Sequence, residues 1–401
     1  MEDMADGYRA ELDEKKFERV QIPHDWAIGA PLDPDMKWGD FQGYLNRWGI
    51  GWYRLHFMMS EKKKGTRYLL HFDGVFERCR VYLNEALAGE HHYGYSGFSL
   101  DITENLCQGD NLLAVRVDNS ATISDRWYSG CGIYRKVELE EVPEVYLRAE
   151  EISVQADYKN GLGELTIEIE KSPAGVTAAI KDVFTAEIPK TGILKVPALL
   201  VEPWSAENPK LYHLMLRTPE AAGGHTLSLF IGFRRVEFIP HKGMFVNGEM
   251  VKMKGVCLHH DGGCVGSAVT ESLLKKRLKL LKSMGCNTIR TSHNIVSAEM
   301  MDLCDRLGFY VVDECFDKWV QGAYSRFYET DATTDLAYLI RRDRNRPSVV
   351  MWSMGNEIDD QGSASMLTIL KRLCNFTRTL DNRPVTVAMS PHYQNPEGES
   401  V

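Results

Sequence analysis

The stretch Arg342-Asp343-Arg344-Asn345-Arg346-Pro347-Ser348-Val349-Val350-Met351-Trp352-Ser353-Met354-Gly355-Asn356-Glu357 decides the fold. Its middle, Ser348 to Ser353, is a short apolar run after a proline, the composition of a strand buried on both faces. The chain leaves that run through Met354-Gly355 and delivers an amide and a carboxyl side by side, Asn356 and Glu357. A carboxyl at the carboxyl end of a buried parallel strand is where α/β barrels keep catalytic groups. The competing reading is a strand end followed by a solvated glutamate.

Outward from this point the chain alternates strand and helix. Strands are expected over 253–258, 287–290, 309–314, 348–353 and 385–389. Thr270 can cap a helix that runs to Met284, with leucines at 273, 274, 278 and 281 on one face and Gly285 as its stop. Ser297 can cap a second helix that ends before Gly308, and a third spans 363–380. Alternating βα units imply a parallel sheet, and this many in order suggest a (β/α)8 TIM barrel over 237–401. Five of the eight strands begin before Val401, so the barrel is expected to be incomplete.

The region before 237 is β-rich. Alternating runs at 51–57, 68–72, 78–83 and 112–117, separated by Asp73-Gly74 and Gln108-Gly109-Asp110-Asn111, suggest a jelly-roll sandwich over 1–142. A second series at 165–170, 193–196, 211–216 and 227–231 fits an immunoglobulin-like sandwich over 143–236. The fold class expected is therefore multidomain: a jelly roll, an immunoglobulin-like β-sandwich, then a partial TIM barrel.

At 401 residues the chain exceeds one core, and its net charge of -9 with no dense Lys/Arg stripe argues against a nucleic-acid partner. Nine cysteines without C-x-x-C pairs fit free thiols in a reducing compartment. The charged amino-terminal segment is no signal peptide, and no run approaches the ~18–20 apolar residues of a membrane span. A cytoplasmic location is expected, or a periplasmic one should a signal segment precede this chain. No nucleotide loop and no Gly-x-Ser-x-Gly motif is present, so no cofactor is expected. Assembly into a homo-oligomer is compatible with the sequence.

With these residues in view, the chain resembles glycoside hydrolase family 2, the family of β-galactosidases, β-glucuronidases and β-mannosidases. Arg342 to Glu357 resembles its acid/base signature, and Asn287-Thr288-Ile289-Arg290-Thr291-Ser292-His293, continued to Asp302 and Gly308 to Val312, its other signature. Gly255-Val256-Cys257-Leu258-His259-His260-Asp261 resembles the first barrel strand. Pro23-His24-Asp25-Trp26, Gly51-Trp52-Tyr53-Arg54 and Arg126-Trp127-Tyr128-Ser129-Gly130 are similar to the sugar-binding domain of bacterial β-galactosidases.

The resemblance implies an exo-acting, retaining β-glycosidase, most nearly a β-galactosidase, whose partner is a carbohydrate substrate. Retention uses two carboxyls about 5–5.5 Å apart, one a proton donor and one a nucleophile. Glu357 matches the acid/base, a role that needs burial and a neighbouring carboxylate to keep it protonated. Asn356 matches the residue that holds the sugar 2-hydroxyl; its bland alternative is a turn-forming Asn after Gly355. His293 and His259 match sugar-binding histidines, and Arg290 a supporting cation for the catalytic pair. Asp125 matches an acid sent into the pocket by the jelly roll, with a surface loop position as the alternative. Trp319 and Trp352 could be sugar platforms, Trp352 equally core. Asp313 is expected in a structural ion pair, and Glu314 receives no role.

Departures qualify this. His293-Asn294-Ile295 replaces the commoner His-Tyr-Pro, and Cys257 stands where many relatives carry Asn. After Asp313-Glu314 the chain reads Cys315-Phe316-Asp317-Lys318-Trp319, without the Glu-x-His that supplies magnesium ligands in some β-galactosidases, so no metal is expected. The family's nucleophile is a Glu on the seventh strand; only Glu397 and Glu399 follow Glu357, and neither fits. This chain alone is therefore expected to be inactive or nearly so. β-Glucuronidase and β-mannosidase are the alternatives within the class, and a non-catalytic carbohydrate-binding protein the alternative outside it.

Overall fold

The computed structural model describes residues 3–36, 42–45, 48–121, 126–358 and 361–390. Asp125, Glu397 and Glu399 lie outside the described residues. The chain divides into two compact units, one of residues 1–142, 259–273 and 319–332, the other of 143–258, 274–318 and 333–401.

The first unit holds β1 (Gly49–Met59), β2 (Thr66–Phe72), β3 (Arg78–Leu83), β4 (Ala86–His91), β5 (Phe98–Asp101), β6 (Gly109–Asn119) and β7 (Val137–Pro143). They form two sheets, ordered β1-β6-β3-β4 and β5-β2-β7. β1 and β6 pair antiparallel without a break, from Gly49 opposite Asn119 to Met59 opposite Gly109. Apolar alternation on these strands builds one core of Tyr68, Leu70, Phe72, Val81, Val115 and Val117. Short β4, β5 and β7 carry weak alternation, and the sequence did not announce them. Asp25 is buried: Oδ1 accepts the Ala27 N–H at 3.1 Å, and Oδ2 accepts Tyr128 OH at 2.8 Å and the Ser267 N–H at 2.9 Å. Its carboxylate thus caps a short 3-10 turn and ties the 259–273 segment into this unit.

The second unit opens with β8 (Ile152–Lys159), β9 (Leu162–Ile169), β10 (Thr177–Ile180), β11 (Phe184–Glu187), β12 (Ile193–Leu199), β13 (Tyr212–Arg217) and β14 (Thr226–Ile231). These make two antiparallel sheets, β11-β10-β13-β14 and β12-β9-β8, around Ile152, Leu165, Ile167, Leu214 and Leu216. A small sheet of β15 (Val236–Ile239), β16 (Gly243–Val246) and β17 (Glu249–Val251) follows.

Next comes a five-stranded parallel sheet in sequence order: β18 (Gly255–Leu258), β19 (Thr288–Thr291), β20 (Tyr310–Glu314), β21 (Val349–Asn356) and β22 (Val385–Ala388). The helices between them are α1 (Glu271–Ser283), α2 (Ala298–Leu307), α3 (Ser325–Asp343) and α4 (Ala364–Leu380). α2 and α4 start as the sequence predicts: Ser297 and Ser363 accept the N–H groups of Met300 and Met366. Gly308 ends α2 in the left-handed conformation. β21 differs from expectation by continuing through Met354 and Gly355 to Asn356, whose N–H is taken by Asp317 O at 2.6 Å. α3 was not anticipated.

Trp204, Met244, Val246, Tyr310 and Val350 form a shared core between the earlier strands of this unit and its parallel sheet. The first half of the deciding stretch reinforces that junction. Asn345 accepts the Val154 N–H at 2.7 Å and donates to Ile152 O at 3.0 Å, while Arg344 donates to Glu150 O at 2.9 Å.

Candidate active site

Three neighbouring parallel strands of the second unit end in polar side chains. β19 contributes Arg290 and, just beyond it, His293; β20 ends in Asp313 and Glu314; β21 contributes Ser353 and Asn356. Glu314 pairs in register with Ser353, which brings the ends together.

The hub is Glu314, whose side chain is 0% exposed. Arg290 donates from Nε to Oε2 at 3.1 Å and from Nη2 to Oε1 and Oε2 at 2.9 and 2.7 Å. Ser353 Oγ donates to Oε2 at 2.5 Å, and His293 Nδ1 lies 2.7 Å from Oε1. Charge-assisted bonds of this kind are the strong ones, and a buried carboxylate needs them. Arg290 also donates from Nη2 to Asn356 Oδ1 at 2.9 Å, and Asn356 Nδ2 donates to Asp317 Oδ1 at 2.8 Å. The Asn356 amide is therefore oriented at both ends.

Glu357 follows Asn356 with φ at 46°, in the left-handed region that a residue other than glycine adopts only when its surroundings hold it there. Its N–H donates to Ala388 O at 2.8 Å, and Lys318 Nζ donates to its carbonyl oxygen. Two adjacent residues of the segment after β20, Asp317 and Lys318, thus clamp the turn that carries Asn356 and Glu357.

Among the residues singled out from sequence, the structure joins Arg290, His293 and Asn356 in one network and sets Glu357 beside Asn356 on the backbone. His259 belongs to the first unit, where its ring lies tilted against Trp127 with centroids 5.1 Å apart. Trp352 is fully buried, its Nε1 donating to Asp381 Oδ1 at 3.0 Å, and Trp319 is 1% exposed; both occupy core positions in this chain. The ion pair expected of Asp313 belongs to Glu314 instead. Asp313 Oδ1 accepts Thr291 Oγ1 at 3.2 Å, and its carboxyl interacts with that of Asp343. Burial, then the Asp343 charge, pushes Asp313 well above the usual carboxylate range. Burial also works to raise Asp343, but Arg342 and Arg346 outweigh it and hold that carboxyl low. The two opposite shifts favour Asp313 over Asp343 as the carrier of a shared proton.

Glu314, Ser353, Asp317 and Lys318 are the participants sequence reasoning missed. For Glu314, Asp317 and Lys318 the signal was position, at or just past the end of β20; Ser353 lies inside β21 and gave none. Among the described residues no group of three His, Cys, Asp or Glu side chains could hold a metal ion. Among them, too, no helix is long and apolar enough to cross a membrane.

Comparison with known proteins gives the family. Residues 238–395 match the model for "Glycosyl hydrolases family 2, TIM barrel domain", and residues 20–143 the model for the "sugar binding domain" of the same family. The chain is 36% identical to β-galactosidase BoGH2A of Bacteroides ovatus over 86% of its own length and 44% of that protein. It is 34% identical to a putative β-glucuronidase of Formosa agariphila over 93% of its length and 38% of that protein. The crystal structure of a β-glycosidase from Bacteroides vulgatus superposes with a TM-score of 0.89 at 33% identity, over 97% of this chain and 52% of that one. The chain thus spans about half the length of these relatives, or less.

Proposed function

Because the chain belongs to glycoside hydrolase family 2, we propose that it is the sugar-binding and acid/base portion of a retaining exo-β-glycosidase, with terminal β-galactosides as its substrates. The observation that carries this reading is the polar end of three adjacent parallel strands. There Asn356 is fixed by Arg290 and Asp317, and Glu357 is the next residue. In this reading the antiparallel sheets of the first unit are a jelly roll and those at the start of the second an immunoglobulin-like sandwich. The parallel sheet is the first five strands of an eightfold barrel.

Glu357 is the proton donor to the departing alcohol. Its left-handed turn, clamped by Lys318 and Ala388, sets where the carboxyl leaves the strand. Asn356 binds the 2-hydroxyl, a contact that strengthens as the ring flattens toward an oxocarbenium ion. With Oδ1 engaged by Arg290 and one Nδ2 hydrogen by Asp317, it has one amide hydrogen left to donate. Arg290 and His293 border the same network.

Glu314 cannot be the nucleophile. It is wholly buried, and Arg290, Ser353 and His293 occupy its oxygens. Attack on an anomeric carbon needs a free, accessible lone pair, so in this reading the second carboxylate comes from elsewhere. The 401-residue chain alone should then hydrolyse aryl β-galactosides negligibly; robust turnover by the purified chain would contradict this. In an enzyme that joins these residues to a nucleophile, Glu357→Gln should abolish turnover of substrates with poor leaving groups. Full activity of that variant refutes the acid/base assignment. The presence of relatives named for glucuronide hydrolysis keeps β-glucuronidase as the second reading. Parallel rates on aryl β-galactoside and aryl β-glucuronide separate the two.

A further inference from the structure

The donors around Glu314 settle which atoms carry hydrogen. Arg290 presents N–H groups to both carboxyl oxygens, at 2.9 Å to Oε1 and at 3.1 and 2.7 Å to Oε2. A proton on either oxygen would collide with them, so Glu314 is there as a carboxylate. His293 Nδ1 stands 2.7 Å from Oε1. Two bare lone pairs at that separation repel, so a hydrogen lies between them, on Nδ1. The competing contact, from Arg290 Nη2 to His293 Nδ1, would need Nδ1 bare, and at 3.3 Å it is the longer one. A neutral imidazole has one N–H, which leaves its other nitrogen with a lone pair.

We propose that Glu314 is a positioning residue: it fixes His293 as the Nδ1-protonated tautomer, so that Nε2 accepts hydrogen bonds and does not donate them. The same carboxylate holds the guanidinium that orients Asn356, whose remaining amide hydrogen is a donor. One buried acid therefore assigns opposite roles to two groups, an acceptor on His293 and a donor on Asn356. A ligand that satisfies both offers a hydroxyl hydrogen to the first and a hydroxyl oxygen to the second. The sugar half of this inference rests on the glycosidase reading; the tautomer does not.

The test is a long-range proton–nitrogen correlation spectrum of the 401-residue chain labelled with nitrogen-15 histidine. It is recorded at about pH 9, above the ordinary imidazole range, with the His293 signals identified by their loss in His293→Gln. The expected pattern is a protonated Nδ1 and a bare Nε2. In Glu314→Gln the amide oxygen keeps Arg290 Nε and Ser353, and its NH2 turns to His293 Nδ1 as a donor once Arg290 Nη2 gives up its contact at the Oε1 position. The ring should then switch to protonated Nε2. A wild-type ring protonated on Nε2, or on both nitrogens, overturns the proposal, as does a Glu314→Gln ring with the wild-type pattern. Should Glu314→Gln fail to fold, the wild-type spectrum decides alone. Galactose is then added to the wild-type chain. Movement of Nε2 with Nδ1 unchanged supports the acceptor role. The expected tautomer with an unmoved Nε2 leaves Glu314 as the positioning group and removes the sugar reading.

Discussion

A single imidazole shapes how the first unit responds to acid. His91 is part-buried, its Nε2 3.1 Å from Tyr93 O and 2.9 Å from Ser96 Oγ, and its ring stacks on Phe98 with centroids 4.5 Å apart. Burial pushes its pKa down from 6.5 to about 4, against a smaller upward pull from the Tyr93 carbonyl. The fold therefore prefers the neutral ring. Stability present above the unfolded value is lost as pH falls from about 6.5 through about 4, with an upper bound of about 3 kcal/mol. His91→Gln should flatten that loss, measured as the difference in urea unfolding free energy between about pH 7 and about pH 4. Parallel pH profiles for the two proteins would show that the ring titrates as it does in the unfolded chain. The site's residues were unevenly legible at this scale. Asn356 and Glu357 stood out because an apolar strand ended on them. Glu314 did not, because Asp313-Glu314 is a pair of acids on a strand. Alternation sends the two to opposite faces without saying which face holds Arg290.

Among the elements, the polar string before β21 divides its labour in a way its sequence conceals. Arg342 and Arg346 both hold Asp343, with contacts of 2.5 Å from Arg342 Nη2 and 2.7 Å from Arg346 Nε, and Arg346 reaches on to Asp302 and Asp305 of α2. Asp343→Asn removes the negative charge that Arg342 and Arg346 share and should cost about 1.5–3 kcal/mol. Asp313→Asn should behave oppositely. Its amide can still accept from Thr291 and can donate to Asp343 in place of the shared proton. Since the folded pKa of Asp313 is raised, the wild type loses stability as pH rises from about 4 through that value. The Asn variant should gain on it over the same range in thermal unfolding. A gain that appears instead as pH falls would refute the shared proton. Gly308 supplies a second element-scale test. It has φ at 76°, and a Cβ there would lie 2.3 Å from Ala206 O. Gly308→Ala should therefore destabilise the chain by at least about 2 kcal/mol, while Ser297→Ala at the other end of α2 should cost about 1 kcal/mol. Both are read from denaturant midpoints. α2 was legible because cap, apolar face and glycine stop all agree. α3 was hidden because its centre, Glu329-Thr330-Asp331-Ala332-Thr333-Thr334-Asp335, has the composition of a loop. Burial of Phe327, Leu336, Leu339 and Ile340 overrides that local preference.

For the whole molecule, the order of strands was legible further than their closure. Five βα-type strands in sequence order are what a barrel begins with, and the parallel sheet has that order. Yet β18 and β22 each pair with one neighbour among the described residues, so the sheet has two edges. Parallel sheets are stable when covered, and an edge presents a row of unpaired backbone groups to any strand that meets it. Amide exchange on the 401-residue chain should therefore run in a fixed order. β18 and β22 exchange first, while β19, β20 and β21, paired on both sides, exchange late. Strand edges also invite association, so the solution mass should rise with protein concentration. Mixing in excess unlabelled chain should slow exchange at Val256–Leu258 and Val385–Val387 before it affects the central strands. If all five strands are equally protected while light scattering gives a monomer, the edges are already covered from within the chain, and the inference of an open sheet fails.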